Sequence, residues 1–186
     1  MKKSFARFAA MAVLALETAA LAADPPPTEI ALARRLFAEA RTAEESKDWP
    51  AAAAKLRDAI SIKETSGLRF HLAYCEEQQG HLVEALVDYE RADDISVGKD
   101  EDLRSQIPAR RTSLQRRIPT VTLLFPRDPS SASLTVDGRS LRSTSFGKPM
   151  PLNPGKHAFT VSSPGFSVFT TELSPTTCPV ARPMFR

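Results

Sequence analysis

FAEARTAEESKDWPAAAAKLRDAISI, residues 37–62, and FHLAYCEEQQGHLVEALVDYERADDI, residues 70–95, decide the fold of this chain. Displaced by 33 residues, they align as two copies of one unit. Phe37 meets Phe70, Ala40 meets Ala73 and Glu44 meets Glu77. Ala52 meets Ala85, Ala59 meets Ala92 and Ile62 meets Ile95. Trp49 and Leu82 agree in apolar character, as do Leu56 and Tyr89. Small alanines suit close crossings between helices, and the large residues fill the gaps.

Each copy carries two helical patterns. Ile30, Ala33, Phe37 and Ala40 share one face at three-to-four spacing. A break is expected at Ser46-Lys47-Asp48, with Asp48 opening the next helix and Pro50 in its first turn, where a missing N–H is harmless. Ala52, Ala53, Leu56, Ala59 and Ile60 form the second apolar face. Gly67 is expected to mark the next break. Leu68, Leu72 and Cys75 then lie along a third helix, which Gly80 ends. Leu82, Ala85, Leu86, Tyr89 and Ala92 define a fourth.

This pattern resembles tetratricopeptide repeats. The resemblance rests on a small residue within each first helix, Ala40 and Ala73, and a large apolar residue after the turn, Trp49 and Leu82. It is completed by Ala52, Leu56 and Ala59 in one copy and by Ala85, Tyr89 and Ala92 in the other. The family period is about 34 residues, and such arrays need about three repeats to stand alone. A cap is therefore expected over Lys99–Arg117, where Leu103, Ile107, Leu114 and Ile118 recur at helical spacing. Pro108 inside it is expected to kink the helix or split it.

After Pro119 the texture changes to short strands. Val121, Leu123 and Phe125 alternate, and Leu134-Thr135-Val136 leads into Asp137-Gly138, a hairpin turn. His157–Val161 and Phe166–Leu173 are further strands, entered through Pro154-Gly155 and Pro164-Gly165. The Val136-Asp137-Gly138 hairpin, the Leu152–His157 turn and strand, and Ser163-Pro164-Gly165-Phe166 together resemble the PEGA domain, a small β module of bacterial envelope proteins. The fold class read here is multidomain α + β: a helical repeat region over residues 28–118, then a small all-β sandwich over 119–173.

The ends are read separately. Lys2, Lys3 and Arg7, the apolar run Phe8–Leu16 and the small-x-small Ala20-Leu21-Ala22 make residues 1–22 a secretory signal, cleaved near Ala22. That run is too short to be a permanent span, which takes roughly 20 apolar residues. Residues 23–27 form a Pro-rich spacer and 174–186 a loosely ordered tail. The expected location is periplasmic or secreted, with no transmembrane segment in the mature chain. Of the two cysteines, Cys75 is expected to be a buried thiol on a helix.

Net charge is +3, but it is split. Residues 23–103 carry 10 Lys/Arg against 18 Asp/Glu, and residues 104–186 carry 12 against 3. The asymmetry, more than the total, bears on partners.

Tests for chemistry lead away from an enzyme. Ser145-Phe146-Gly147-Lys148 has the S-x-x-K spacing, but Gly147 and Pro149 forbid the helix that motif needs. His71 and Cys75 stand four apart without a second pair, and structural zinc wants four ligands. No metal and no cofactor is therefore expected. Nucleic acid is not expected as a partner, because aromatic side chains do not interleave the basic stretches.

The repeat resemblance implies a scaffold for a protein or peptide partner, with Arg41, Tyr74, Glu77 and Gln78 on or near the inner, first-helix surface. The β module adds a second contact surface and is expected to dock on the last helix. The alternative is a binder of anionic cell-envelope polymer through Arg110, Arg111, Arg117, Arg139 and Arg142. Those arginines on the capping helix could instead pair with the acidic repeats.

Overall fold

The computed structural model describes residues 24–98, 100–125 and 131–175. Residues 1–22, read as a secretory signal cleaved near Ala22, Cys178 and all but the first two residues of the 174–186 stretch lie outside the described residues. Five helices come first: α1 (Pro27–Glu45), α2 (Trp49–Ile62), α3 (Ser66–Gln79), α4 (Leu82–Ser96) and α5 (Glu101–Arg117). Two small antiparallel sheets follow. Among the described residues, no helix is long and apolar enough to cross a membrane.

Local chemistry sets the helix ends. Pro27 starts α1, where its absent N–H is one of the groups the first turn leaves unpaired anyway. Lys47 takes a φ of 60° to turn the chain, and Asp48 caps α2 by accepting from the Ala51 N–H at 3.2 Å. Thr65 caps α3, its hydroxyl accepting from the Leu68 N–H at 3.2 Å. The break before α3 therefore falls at Thr65, and Gly67 sits inside the helix. Gly80 ends α3 with a φ of 82°, a left-handed geometry open to glycine at little cost. Pro108 does not split α5, which runs unbroken through it while Ile107 and Leu114 anchor it with no exposed surface.

α1 packs on α2, α3 on α4, and the pairs meet through α2 and α3; α5 closes the end against α4. Ala40, Ala52 and Ala59 are fully buried, and so are Ala73, Ala85 and Ala92, their counterparts 33 residues on. Leu56 and Tyr89 fill equivalent positions, each at 0% exposure. Burying one such side chain contributes about 1.5–3 kcal/mol. α3 is the shared wall. Leu68, Leu72 and Cys75 face the α1–α2 core, and Ala73 with Phe70 faces the α4–α5 core.

The strands are β1 (Thr120–Thr122), β2 (Ser133–Val136), β3 (Arg139–Leu141), β4 (Pro149–Pro151), β5 (His157–Ser162) and β6 (Phe169–Leu173). β1 pairs with β4, and the other four run in the order β3-β2-β5-β6. Asp137 (φ 51°) and Gly138 (φ 76°) make the tight turn between β2 and β3. β1 stops at Thr122, so Leu123 and Phe125 lie beyond it, although Leu123 is buried. β6 begins at Phe169, three residues later than the sequence indicates. Val121 of β1, Leu123, Leu134 and Val136 of β2, and Phe159 of β5 form one buried cluster, with Met150 of β4 packed against it. The two sheets therefore share a core.

The strand half meets the helices at the start of α4. His81, the N-cap of α4, supplies no side-chain cap. Asn153 takes over that role from the strand half, its Oδ1 accepting from the Val83 N–H at 2.8 Å. The Asn153 Nδ2 donates to Glu84 at 2.7 Å. These bonds place a contact at the start of α4, whereas the sequence reading looks for the docking on the last helix, α5.

Candidate functional site

The first helix of each pair and α5 line up side chains that touch across the helix boundaries. On α1, Arg41 donates to Glu44 at 2.7 Å. The same guanidinium lies 3.1 Å from His71 Nδ1 of α3, and Glu44 lies 3.1 Å from that nitrogen as well. Nδ1 can serve one of them at a time, donating to the carboxylate or accepting from the guanidinium. Phe37 meets the edge of the His71 ring, with centroids 5.3 Å apart.

Glu44 is buried, which opposes its ionisation, yet the His71 bond and the charges of His71 and Arg41 hold its carboxyl below the usual range. Cys75 donates its S–H to Glu44 at 3.5 Å. Burial and the Glu44 charge push that thiol up to about 12, so it is a packed group and not a nucleophile.

Toward α5 the contacts continue. Tyr74 meets Trp49 edge-on at 5.6 Å, and the Arg110 guanidinium stands 5.1 Å over the Tyr74 ring. Glu77 accepts from Arg110 at 3.4 Å, from the Tyr89 hydroxyl at 3.4 Å, and from Arg117. Arg110 and Arg117 remain 37% and 44% exposed, which leaves donors free toward solvent.

Of the four partner-binding residues read from the sequence, the structure brings Arg41, Tyr74 and Glu77 into this face. Gln78 is exposed and takes no part in the contacts. The five arginines read as an anion patch do not converge. Arg110 and Arg117 join Glu77. Arg111 is held by Glu90 at 3.1 Å and Asp93 at 3.4 Å, against α4. Arg139 and Arg142 are exposed in the strand half. Arg110, Arg111 and Arg117 of α5 are thus engaged by carboxylates of α3 and α4.

At one end of the face, between α1 and α3, lies a cavity of about 360 Å³. Ile30, Ala33, Phe37 and Leu68 give it apolar walls, and Arg34 and Lys63 line it with positive charge. Lys63 also contacts Asp24 at 3.2 Å. Among the described residues, no group of three or more His, Cys, Asp or Glu side chains is arranged to hold a metal ion.

Sequence reasoning missed a second network, between α2, α3 and α4. Arg57 donates to Glu76 at 2.7 Å. Arg69 bonds Asp88 at 2.6 Å and Glu64 at 2.7 Å, and Arg91 bonds Glu64 at 2.5 Å. Bonds from Arg91 and then Arg69 bring the Glu64 carboxyl down to about 2, against the effect of burial. Burial pushes Glu76 and Asp88 the other way. The signal was present in the sequence: Arg57 and Glu76 stand 19 residues apart, as do Arg69 and Asp88. This network ties helices together rather than presenting a surface.

No protein-family model, curated protein or solved structure matches this chain.

Proposed function

We propose that the chain is an exported, non-enzymatic scaffold whose first-helix face holds a segment of a protein or peptide partner. In this reading α1–α4 are two tetratricopeptide-like repeats, α5 is the capping first helix of a third, and the two sheets are a PEGA-like sandwich. The supporting observation is two groups of touching side chains along this face, Arg41 with His71 and Tyr74 with Arg110, with the α1–α3 cavity at one end. Aromatic edges and half-exposed guanidinium groups supply contact area and hydrogen bonds to a backbone. The cavity admits an apolar side chain, and Arg34 and Lys63 beside it favour an acidic neighbour. The anionic-polymer alternative has less support, because Arg110, Arg111 and Arg117 already bond Glu77, Glu90 and Asp93.

A photo-crosslinking residue at the exposed position 78, with a matched one at exposed Arg35, tests the reading. A segment captured from position 78 and not from position 35 is then made as a synthetic peptide. Its affinity for the purified chain is expected to fall about tenfold in Tyr74→Ala, the loss of one good contact. Equal capture at both positions, or an affinity that Tyr74→Ala leaves unchanged, overturns it.

A further inference from the structure

His157 sits where the two halves join. Its Nδ1 is 2.6 Å from Asp137 Oδ2, and its Nε2 is 2.8 Å from the Asn153 carbonyl oxygen. The side chain is 13% exposed. Both neighbours are acceptors. A backbone carbonyl carries no proton, and the Asp137 carboxyl is held below the usual range by its bond to His157 and by the Ala158 N–H. A neutral imidazole has one N–H and one lone pair, so one of its nitrogens would face an oxygen lone pair at under 3 Å. The imidazolium satisfies both partners at once.

Asn153 transmits this to the helices. Its carbonyl is held by His157, while its side chain caps the Val83 N–H of α4 at 2.8 Å and donates to Glu84 at 2.7 Å. The charged groups that face His157 are Asp137, from the β2–β3 turn, and Glu84, from α4. Arg139 on β3 acts on Asp137. Lys156, the neighbour of His157, faces Glu172 of β6 at 3.9 Å.

We propose that His157 is a proton-operated latch: protonated, it fixes the Asn153 loop onto the start of α4; deprotonated, it gives up one of its two bonds and loosens the strand half from the helices. The device is independent of whether the first-helix face takes a peptide. Burial works against protonation, but the bonds to Asp137 and Asn153 and the charges of Asp137 and Glu84 outweigh it, so the group titrates above the ordinary value. An unperturbed histidine titrates at about 6.5. The contribution to docking is therefore complete below about 6.5 and is lost as pH rises through the raised folded value.

An NMR titration of the full chain from pH about 5 to about 9 tests the latch across the histidine range. The His157 ring is expected to titrate with a midpoint above 6.5, and the Val83 amide resonance to follow the same curve. Val83 exchange protection, corrected for intrinsic pH dependence, is expected to fall about tenfold through that transition. Asp137→Asn is expected to lower the midpoint for both signals, His157→Gln to flatten the Val83 curve, and His81→Gln to leave it unchanged. A His157 midpoint at or below 6.5 overturns the latch. So does a Val83 amide that stays flat while His157 titrates, or one that follows His81.

Discussion

The helical half and the strand half hold themselves together by different means. The helices close on fully buried alanines, Ala40, Ala52 and Ala59 in one pair and Ala73, Ala85 and Ala92 in the other, and large side chains fill the space between. Arg57–Glu76, Arg69–Asp88 and the two arginines on Glu64 then tie α2, α3 and α4 across their flanks. The strand half has five buried residues in its cluster, and one of them, Phe159, is aromatic and fully covered. Its strands are short; three of the six have three residues. Stability in the helices is shared among many modest contacts. In the strand half it rests on a small cluster with Phe159 as its largest member, so the two halves should respond differently to a single deletion.

Phe159→Ala is the sharpest way to break that comparison. Truncating a buried phenylalanine costs about 3–5 kcal/mol. A single core of this size supplies about as much. The strand half is expected to lose its fixed packing, while helical ellipticity at low temperature persists. Amide exchange read strand by strand checks this. If α1–α5 unfold with the strands, the halves form one cooperative unit and the contrast drawn above fails.

The same contrast governs what could be read from the sequence. Helical spacing and the 33-residue shift are local patterns carried by many residues, and they located all five helices. The error at Gly67 is instructive. A glycine at this spacing reads as a break, but the Thr65 hydroxyl capping the Leu68 N–H decides where α3 starts. In the strand half the turns were legible, because Asp137-Gly138 and the Pro-Gly pairs announce them. β4 was not, since Pro149 and Pro151 argue against a strand, and it survives as one partner of a two-stranded sheet. The site shows the same division. That Arg41 lies on α1 and Tyr74 and Glu77 on α3 follows from helical spacing and the 33-residue shift. The pairing of Glu77 with residues 33 and 40 positions away, and of Asn153 with α4 across 70, depends on how elements meet and leaves no local signature.

Glu77→Gln probes the sharing of load inside the helical half. The substitution keeps the shape and removes the charge that Arg110 and Arg117 both use. A charge-assisted bond is worth about 1.5–3 kcal/mol, but both arginines are partly exposed and water replaces some of the loss. The expected cost is about 1–2 kcal/mol, read as a lower denaturation midpoint for the helices. Strand-half exchange should not change. A cost as large as that of Phe159→Ala would mean that α5 is held by this one carboxylate, and the load in the helices would then not be shared.

Asn153→Ala has the smallest expected effect and addresses the joint itself. The residue belongs to the strand half, yet the group it satisfies, the Val83 N–H, belongs to α4. A capping side chain is worth about 1 kcal/mol to the helix it caps. The loss should therefore appear in the first turn of α4, as faster exchange at Val83, and not in the β5 ladder that follows Asn153 in sequence. Asn153→Asp separates the two bonds. An aspartate still accepts from Val83, and its charge suits a helix N-terminus. It cannot donate to Glu84, and two carboxylates would then face each other across the 2.7 Å contact that the amide now bridges. The aspartate variant should recover Val83 protection at low pH, where one carboxyl is protonated and can donate, and lose it as both ionise. If Val83 is indifferent to both substitutions, the halves are joined by chain connectivity and apolar contact alone, and the cap lent by the strands to the helices has no energetic weight.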